Sequence, residues 1–169
     1  MSKPLDGLRV LDLTHMLSGP YGAMILADLG AETIKVEPLH GEGTRKLLAN
    51  DPANSLDGMG AYFLTLNRNK QSVAIDLKSH AGRTQFYRLV EKSDIVISNF
   101  GADVPERLGI DFEALSAVNP GIITCTITGF GSDGPQSKRP AFDQVAQATG
   151  GGMSITGSDP EHPVRAGIP

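Results

Sequence analysis

Short apolar runs bounded by glycine, proline or polar residues recur along the chain, and each has the length of a buried β-strand. Between and after these runs, apolar residues spaced three and four positions apart predict helices. The predicted strands are 8–13, 32–37, 71–77, 94–98 and 122–127, and the predicted helices are 18–29, 79–91, 111–118 and 142–149. Strands that alternate with helices favour an α/β fold with a mainly parallel sheet.

The first predicted helix completes a strand, helix, strand opening that is typical of a right-handed βαβ unit. Ser18 is a candidate cap for this helix, Pro20 is tolerated in its first turn, and Gly30 ends it. The larger apolar residues of the helix form one stripe, which we expect to face the sheet. This stripe consists of Tyr21, Met24, Ile25 and Leu29.

Two further segments carry expectations about burial. The connection 38–60 is polar and interrupted by glycine and proline, and a connection of this length inside a domain is usually functional or mobile. Cys125 lies inside the last predicted strand between apolar residues and threonines. We expect it to be a packed core thiol and not a nucleophile.

The composition of the chain excludes several classes of protein. A hydrophobic fraction of 40% and a charged fraction of 20% are typical of a folded domain, and a net charge of −4 argues against nucleic-acid binding. One cysteine cannot form an intramolecular disulfide, and the four histidines are too far apart to predict a metal site. Because no apolar run has the length of a membrane span or of a signal-peptide core, we expect a cytoplasmic protein without a membrane partner.

Polar and basic residues follow the ends of the predicted strands, where parallel sheets bind their ligands. Each of them taken singly is better explained as a solvated surface group, and His15 could simply satisfy backbone groups. Taken together they favour a phosphorylated or otherwise anionic ligand, because Lys, Arg and backbone N–H groups stabilise such charge. These residues are His15, Ser18, Lys78, Asn99, Arg107, Lys138 and Arg139.

A nicotinamide dinucleotide is one alternative ligand. Glu37 ends the second strand 18 residues after Gly19, near the position of a ribose-binding acid. However, the first turn lacks the G-x-G-x-x-G pattern, and Pro20 removes a backbone donor that a pyrophosphate would use. The sequence therefore disfavours a dinucleotide.

Six motifs, at 4–15, 29–37, 67–70, 75–78, 94–100 and 139–148, occur in order along the whole chain. In this order and spacing they resemble the family III CoA-transferases, which include formyl-CoA and carnitine-CoA transferases and are related to the α-methylacyl-CoA racemases. The resemblance implies a Rossmann-like, doubly wound α/β fold with a mainly parallel sheet flanked by helices. Residues 1–169 would form the N-terminal part of the CoA-binding large domain, without the small domain and the C-terminal return segment.

The same resemblance implies which residues bind CoA. Leu17 and Ser18 would line its entry, 75–78 would hold the adenine end, and 99–101 would pack along the pantetheine. Arg107 would pair with a phosphate, and Arg45 could replace an arginine that some relatives carry at Pro38. The complete set is His15, Leu17, Ser18, Arg45, Ile75, Asp76, Leu77, Lys78, Asn99, Phe100, Gly101, Arg107, Lys138 and Arg139. Leu17 replaces a glutamine of the formyl-CoA enzyme, which weighs against that substrate.

The mechanism implied by the resemblance is covalent catalysis by an aspartate, which attacks an acyl-CoA thioester and passes CoA to an acceptor acid through anhydride and aspartyl-CoA intermediates. That aspartate would lie shortly beyond Pro169, so no catalytic residue is assigned within this chain and the chain alone is expected to be inactive. Relatives are expected to be roughly twice as long and to form interlocked homodimers. Acyl-CoA and carboxylic acids are the expected partners, with no metal.

Two alternatives remain open beside the transferase. A racemase needs two proton-transfer groups beside the α-carbon, usually a histidine and an aspartate. Racemase relatives carry that histidine near 140–143, where this chain has Phe142. The sequence therefore favours a transferase over a racemase. A non-catalytic CoA- or nucleotide-binding module is the alternative from a different class.

Overall fold

A computed structural model describes residues 2–159 and 161–167 of the chain. The strands are β1 (Arg9–Asp12), β2 (Glu32–Glu37), β3 (Ser55–Leu56), β4 (Met59–Gly60), β5 (Lys70–Ala74), β6 (Ile95–Ser98) and β7 (Ile123–Thr126). The α-helices are α1 (Ser18–Asp28), α2 (Ala61–Leu66), α3 (His80–Val90), α4 (Val104–Leu108), α5 (Phe112–Val118) and α6 (Asp143–Thr149). Single 3-10 turns occur at Gly43–Lys46 and Gly152–Ser154.

Five of the strands form one parallel sheet in the order β5-β2-β1-β6-β7. The chain runs outward from β1 through β2 to β5, then returns to the other side of β1 and runs outward again through β6 to β7. The strand order therefore reverses between β1 and β6, which is the topological switch point where open α/β sheets bind ligands. The predicted α/β fold with a mainly parallel sheet is confirmed.

The two faces of the sheet differ in character, because successive strand residues point to opposite sides. On one face, Leu11 and Val96 pack against Phe86 of α3 and Leu115 of α5. On the other face, Val10 and Ile97 pack against Ala23 of α1. This second face also carries the buried charged residues Asp12, Lys35, Glu37 and Lys70.

The described residues fall into two compact units. The first contains the residues up to Phe100 together with Val104–Ile127, and it includes the five-stranded sheet. The second contains Gly101–Asp103 and the residues from Thr128 onward, including α6. None of the described residues of the second unit is buried, so it has no core of its own.

The packing of α1 corrects two expectations. Its buried face consists of small residues and Met24, whereas Tyr21, Ile25 and the adjoining Leu29 are 52%, 42% and 41% exposed. The N-cap is Leu17, without a side-chain cap, so the expectation that Ser18 caps the helix is wrong. Small residues suit this face because α1 begins close to the turn that follows β1: a Cβ at Gly19 would collide with the side chain of Thr14.

Other departures concern short elements and one edge strand. The segment 38–60 contains a 3-10 turn and the β3–β4 hairpin, and α2 and α4 have too few residues to show a helical period. Cys125 is exposed, so the expectation of a packed core thiol is wrong. The reason is that β7 is an edge strand, which among the described residues pairs with β6 alone and has no strand on its outer side.

The part of the chain that the structure describes contains no helix that is both long enough and apolar enough to cross a membrane.

Candidate functional site

The turn between β1 and α1 is tied directly to the end of β6. The side-chain oxygen of Asn99 accepts the backbone N–H of His15 at 2.9 Å, and its amide nitrogen donates to the backbone oxygen of His15 at 2.7 Å. This pair of hydrogen bonds closes the switch point between the two central strands. Sequence analysis placed His15 and Asn99 on the same edge of the sheet, and the structure brings them into contact.

His15 and Phe100 form the half-buried aromatic part of this turn. Their ring centroids lie 5.7 Å apart in a tilted arrangement. Burial lowers the pKa of His15 below its ordinary value; the carboxylate of Glu42 opposes this effect and the ammonium of Lys35 adds to it. The lowered pKa favours the neutral form of the His15 imidazole.

A buried ionic cluster supports the turn from below. Asp12 is fully buried, and its carboxylate accepts the ammonium of Lys70 at 2.8 Å and the backbone N–H of Thr14 at 2.9 Å. The ammonium of Lys35 lies 3.9 Å from the same carboxylate and donates to the backbone oxygen of Thr14 at 2.7 Å. Lys70 also donates to the backbone oxygen of Pro20 at 2.8 Å. Side chains of three strands thus fix both ends of the turn.

A second set of charges covers the turn from the segment after β2. The backbone N–H of Met16 donates to the carboxylate of Glu42 at 3.2 Å. The N–H of Glu42 in turn donates to the carboxylate of Glu37 at 2.8 Å. Glu37 accepts two hydrogen bonds from the guanidinium of Arg45, at 2.6 and 2.7 Å, and one from the hydroxyl of Ser72 at 2.6 Å.

These contacts bear on two predicted roles. The oxygens of Glu37, the candidate ribose-binding acid, are taken up by Arg45, Ser72 and the Glu42 amide, so the dinucleotide alternative loses its main residue. Arg45 pairs with Glu37 and lies over the ring of Phe63, 3.9 Å from its centroid. A phosphate contact by Arg45 stays a prediction, and it would have to share the guanidinium with Glu37.

The segment after β5 presents backbone more than side chain. Ile75 is buried in the apolar core, and its N–H extends the pairing with β2 by donating to the backbone oxygen of Glu37 at 2.8 Å. The carboxylate of Asp76 accepts the N–H of Lys78 at 3.0 Å, which forms a tight turn and leaves Lys78 exposed. Ser79 then caps α3 by accepting the N–H of Gly82 at 2.9 Å, as predicted.

The remaining predicted residues lie in both units. In the first unit, Leu17 is half-buried at the start of α1, Ser18 is exposed, and Arg107 is exposed on α4. The second unit contains the exposed Gly101, Lys138 and Arg139, and the guanidinium of Arg139 lies 5.4 Å from the centre of the Phe130 ring. The CoA-binding role of all these residues stays a prediction. Within residues 2–159 and 161–167, no group of three or more His, Cys, Asp or Glu side chains could hold a metal ion.

The sequence pattern does not single out the residues that hold the turn, which are Asp12, Lys35, Glu42 and Lys70. A signal was present in β2, where Thr33, Lys35 and Glu37 alternate with apolar residues. Alternation of this kind usually indicates a strand face in water. Here α1 and the segment after β2 cover that face, so its charges are buried and paired with one another.

A parallel sheet of this strand order, with helices on both faces and an anchored turn at the switch point, defines the doubly wound α/β class. Residues 5–169 match the model of CoA-transferase family III. The chain is 43% identical to an acetyl-CoA:oxalate CoA-transferase of Acetobacter aceti, over 97% of this chain and 41% of that protein. It is 40% identical to a succinate–glutarate CoA-transferase of Agrobacterium fabrum, over 98% and 42%.

A solved structure gives the same result. A CAIB/BAIF family protein from Brucella suis superposes with a TM-score of 0.90 at 40% identity, over 99% of this chain and 44% of that one. The chain belongs to CoA-transferase family III. It spans about two fifths of the length of the curated relatives that it matches.

Proposed function

We propose that this chain forms the CoA-binding part of a CoA-transferase, which moves CoA from an acyl-CoA donor to a carboxylic acid acceptor. The observation that carries the proposal is the family match over residues 5–169. Relatives that are named CoA-transferases also align with nearly the whole chain. The anchored turn at the switch point supports it, because it supplies a rigid wall where this class of sheet takes its ligands.

CoA is a polyanion with an adenine at one end and a thiol at the other, and the proposed site divides accordingly. The turn at 75–78 offers backbone groups to the adenine and the ammonium of Lys78 to a phosphate. Arg107 serves a second phosphate, and the exposed Lys138 and Arg139 are further candidates. His15, Leu17 and Ser18 receive the thioester end, while 99–101 pack along the pantetheine.

The proposed chemistry uses a carboxylate nucleophile. An aspartate attacks the thioester carbonyl of the donor and the C–S bond breaks. The CoA thiolate departs, and a mixed anhydride of the acyl group and the aspartate remains. The thiolate then attacks the aspartyl carbonyl of this anhydride, which releases the donor's carboxylic acid and leaves an aspartyl-CoA thioester. The acceptor carboxylate attacks that thioester, expels the thiolate and forms a second anhydride with the aspartate. The thiolate finally attacks the acceptor carbon of this anhydride, which yields the acceptor's CoA thioester and frees the aspartate. We propose that this aspartate lies outside residues 1–169, so that these residues alone bind CoA without forming an acyl adduct.

The proposal also includes a cellular location and an oligomeric state. The protein works in the cytoplasm, where acyl-CoA and carboxylate metabolites are available, and it acts as an interlocked homodimer. The relatives' names point to small dicarboxylic acids, with oxalate and glutarate as the first acceptors to try.

Mass spectrometry after mixing with acetyl-CoA tests the absence of an adduct on this chain. An acyl adduct within residues 1–169 would contradict the placement of the nucleophile.

The CoA-binding residues can be tested separately from the chemistry. Lys78→Ala and Arg107→Ala should each raise the CoA dissociation constant about 10- to 100-fold, because a hydrogen bond to a charged group contributes about 1.5–3 kcal/mol. The melting temperature should stay nearly unchanged, since both side chains are exposed. Isothermal titration calorimetry with CoA gives the constants.

The matched controls are Lys92→Ala and Arg88→Ala. Both side chains are exposed on the first unit, and Lys92 precedes β6 at the opposite edge of the sheet. Equal losses of affinity in the test and control variants would indicate a diffuse charge effect. Unchanged affinity with a large loss of stability would assign Lys78 and Arg107 to the fold.

A further inference from the structure

We propose that Glu42 is a positioning residue of this site: its carboxylate holds the turn between β1 and α1 in the conformation that presents His15 and Leu17 to the ligand. The inference rests on the proposed function for the identity of that ligand. Glu42 belongs to the segment after β2. Arg45 is the one predicted CoA-binding residue in that segment.

The turn needs a partner of this kind because its backbone is strained. Met16 has a φ of 66°, in the left-handed region that is unfavourable for a residue with a side chain. Its N–H points at the carboxylate of Glu42, which lies 3.2 Å away. Met16 stands between His15 and Leu17, so a change in its backbone conformation would move both side chains at once.

Glu42 is itself held firmly. Its side chain is only 6% exposed, and the carboxylate also accepts the backbone N–H and the hydroxyl of Thr44. Its own N–H donates to Glu37, whose carboxylate is locked by Arg45. A buried carboxylate with this number of donors has little freedom, so it can impose a conformation on Met16.

The charge of Glu42 has a second effect on the turn. The groups that act electrostatically on His15 are Glu42 from the segment after β2 and Lys35 from β2, while Asn99 and Phe100 of the β6 end are neutral. Burial lowers the pKa of Lys70 below the turn, and the carboxylates of Asp12 and Glu42 oppose that effect. Loss of the charge of Glu42 should therefore change the titration of His15.

Two substitutions separate the hydrogen bond from the charge. Glu42→Gln keeps an oxygen for the Met16 N–H and removes the charge, whereas Glu42→Ala removes both. In Glu42→Gln the pKa of His15, followed by NMR, should move further below its ordinary value, because the group that raises it is gone. The CoA dissociation constant should rise about tenfold in Glu42→Ala and less in Glu42→Gln. Glu113→Gln, which is exposed on α5, is the matched control.

The outcomes distinguish a failure of the positioning role of Glu42 from a failure of the proposed CoA-binding function. If CoA binds to the wild type and both Glu42 variants bind it equally well with an unchanged His15 titration, the positioning role is wrong. If Glu42→Ala does not fold, an unaltered His15 titration and CoA affinity in Glu42→Gln still overturn the proposal. Failure of the wild type to bind CoA contradicts the proposed function itself, and the His15 titration of Glu42→Gln then shows separately whether Glu42 acts on the turn.

Discussion

The ionisation of Glu37 is strongly tied to the folded state. Burial alone would raise the pKa of its carboxyl, but hydrogen bonds from Arg45, Ser72 and the Glu42 amide outweigh burial and lower the pKa to about 2. The folded protein therefore binds this proton less tightly than the unfolded chain does, whose glutamate titrates near pH 4.3. Its contribution to stability is complete above the unfolded value and is lost as the pH falls through the folded one.

Glu37→Gln should remove this dependence on pH. We expect a loss on the order of 3 kcal/mol in the free energy of unfolding at pH 7, because Arg45 keeps its charge without a partner. The difference between wild type and variant should shrink between about pH 4.5 and pH 2. Urea unfolding followed by circular dichroism across this range measures it. Glu32→Gln, an exposed carboxylate of the same strand, should change far less; a difference that stays constant with pH would contradict the argument.

The residues of the site were predictable from sequence to different degrees. His15 and Asn99 could be placed together because each comes within three residues after a strand, and the carboxyl ends of parallel strands share one edge. The partners of that turn could not be predicted. Lys70 and Asp12 are separated by 58 positions, and their meeting depends on β5 lying two strands from β1 and on the close approach of α1.

Among the elements, α1 is the one in which substitutions report most directly on packing against the sheet. Ala23 is fully buried against the sheet, whereas Ile25 is 42% exposed. Ala23→Leu should therefore destabilise the protein by about 1–3 kcal/mol, because the added atoms have no space. Ile25→Ala should cost no more than about 0.5 kcal/mol, since little apolar surface is lost from a packed environment.

Thermal unfolding of both variants measures this difference. The periodic stripe in the sequence would give the reverse order, with Ile25 in the core and Ala23 beside it. A larger loss for Ile25→Ala than for Ala23→Leu would therefore favour the sequence interpretation over the packing described above. The stripe was misleading because hydrophobicity and size are separate requirements, and a closely packed helix selects its inner face by size.

On the scale of the whole molecule, the two units should differ in local stability. The first unit has a core in which Val10, Leu11 and Phe86 are fully buried. In the second unit, Phe142 is 69% exposed and α6 has no buried residue. Few buried contacts allow local opening at little cost in free energy. We expect the amides of α6 to exchange with deuterium on the order of 100-fold faster than those of β1 and β6.

Hydrogen exchange measured by mass spectrometry on the wild-type chain checks this expectation. The helix α3 in the first unit serves as an internal control, because two of its side chains, Phe86 and Val90, are fully buried. Equal protection of α3 and α6 would mean that the second unit is covered in solution by a surface other than its own residues.

The general architecture was the part of the structure best predicted from the sequence. Five apolar runs and their helices determine an α/β sheet, and their bounds agree with the structure to within a few residues. The expectation that β7 is buried was wrong, since a strand's place in the sheet depends on pairing that no single segment encodes. Ile123 of that strand is 60% exposed although its neighbour Ile122 is buried.

The shared carboxylate of Asp12 also has a consequence for the way such sequences can diverge. Replacement of Asp12 alone would leave two buried lysines without a counter-charge, which costs about 3–5 kcal/mol, whereas replacement of one lysine leaves a neutral pair. Replacement of the whole trio by well-packed apolar residues is often neutral or favourable. Among members of the family, position 12 should therefore lose its carboxylate only where positions 35 and 70 have also lost their lysines, because a protein with two buried lysines and no carboxylate folds poorly.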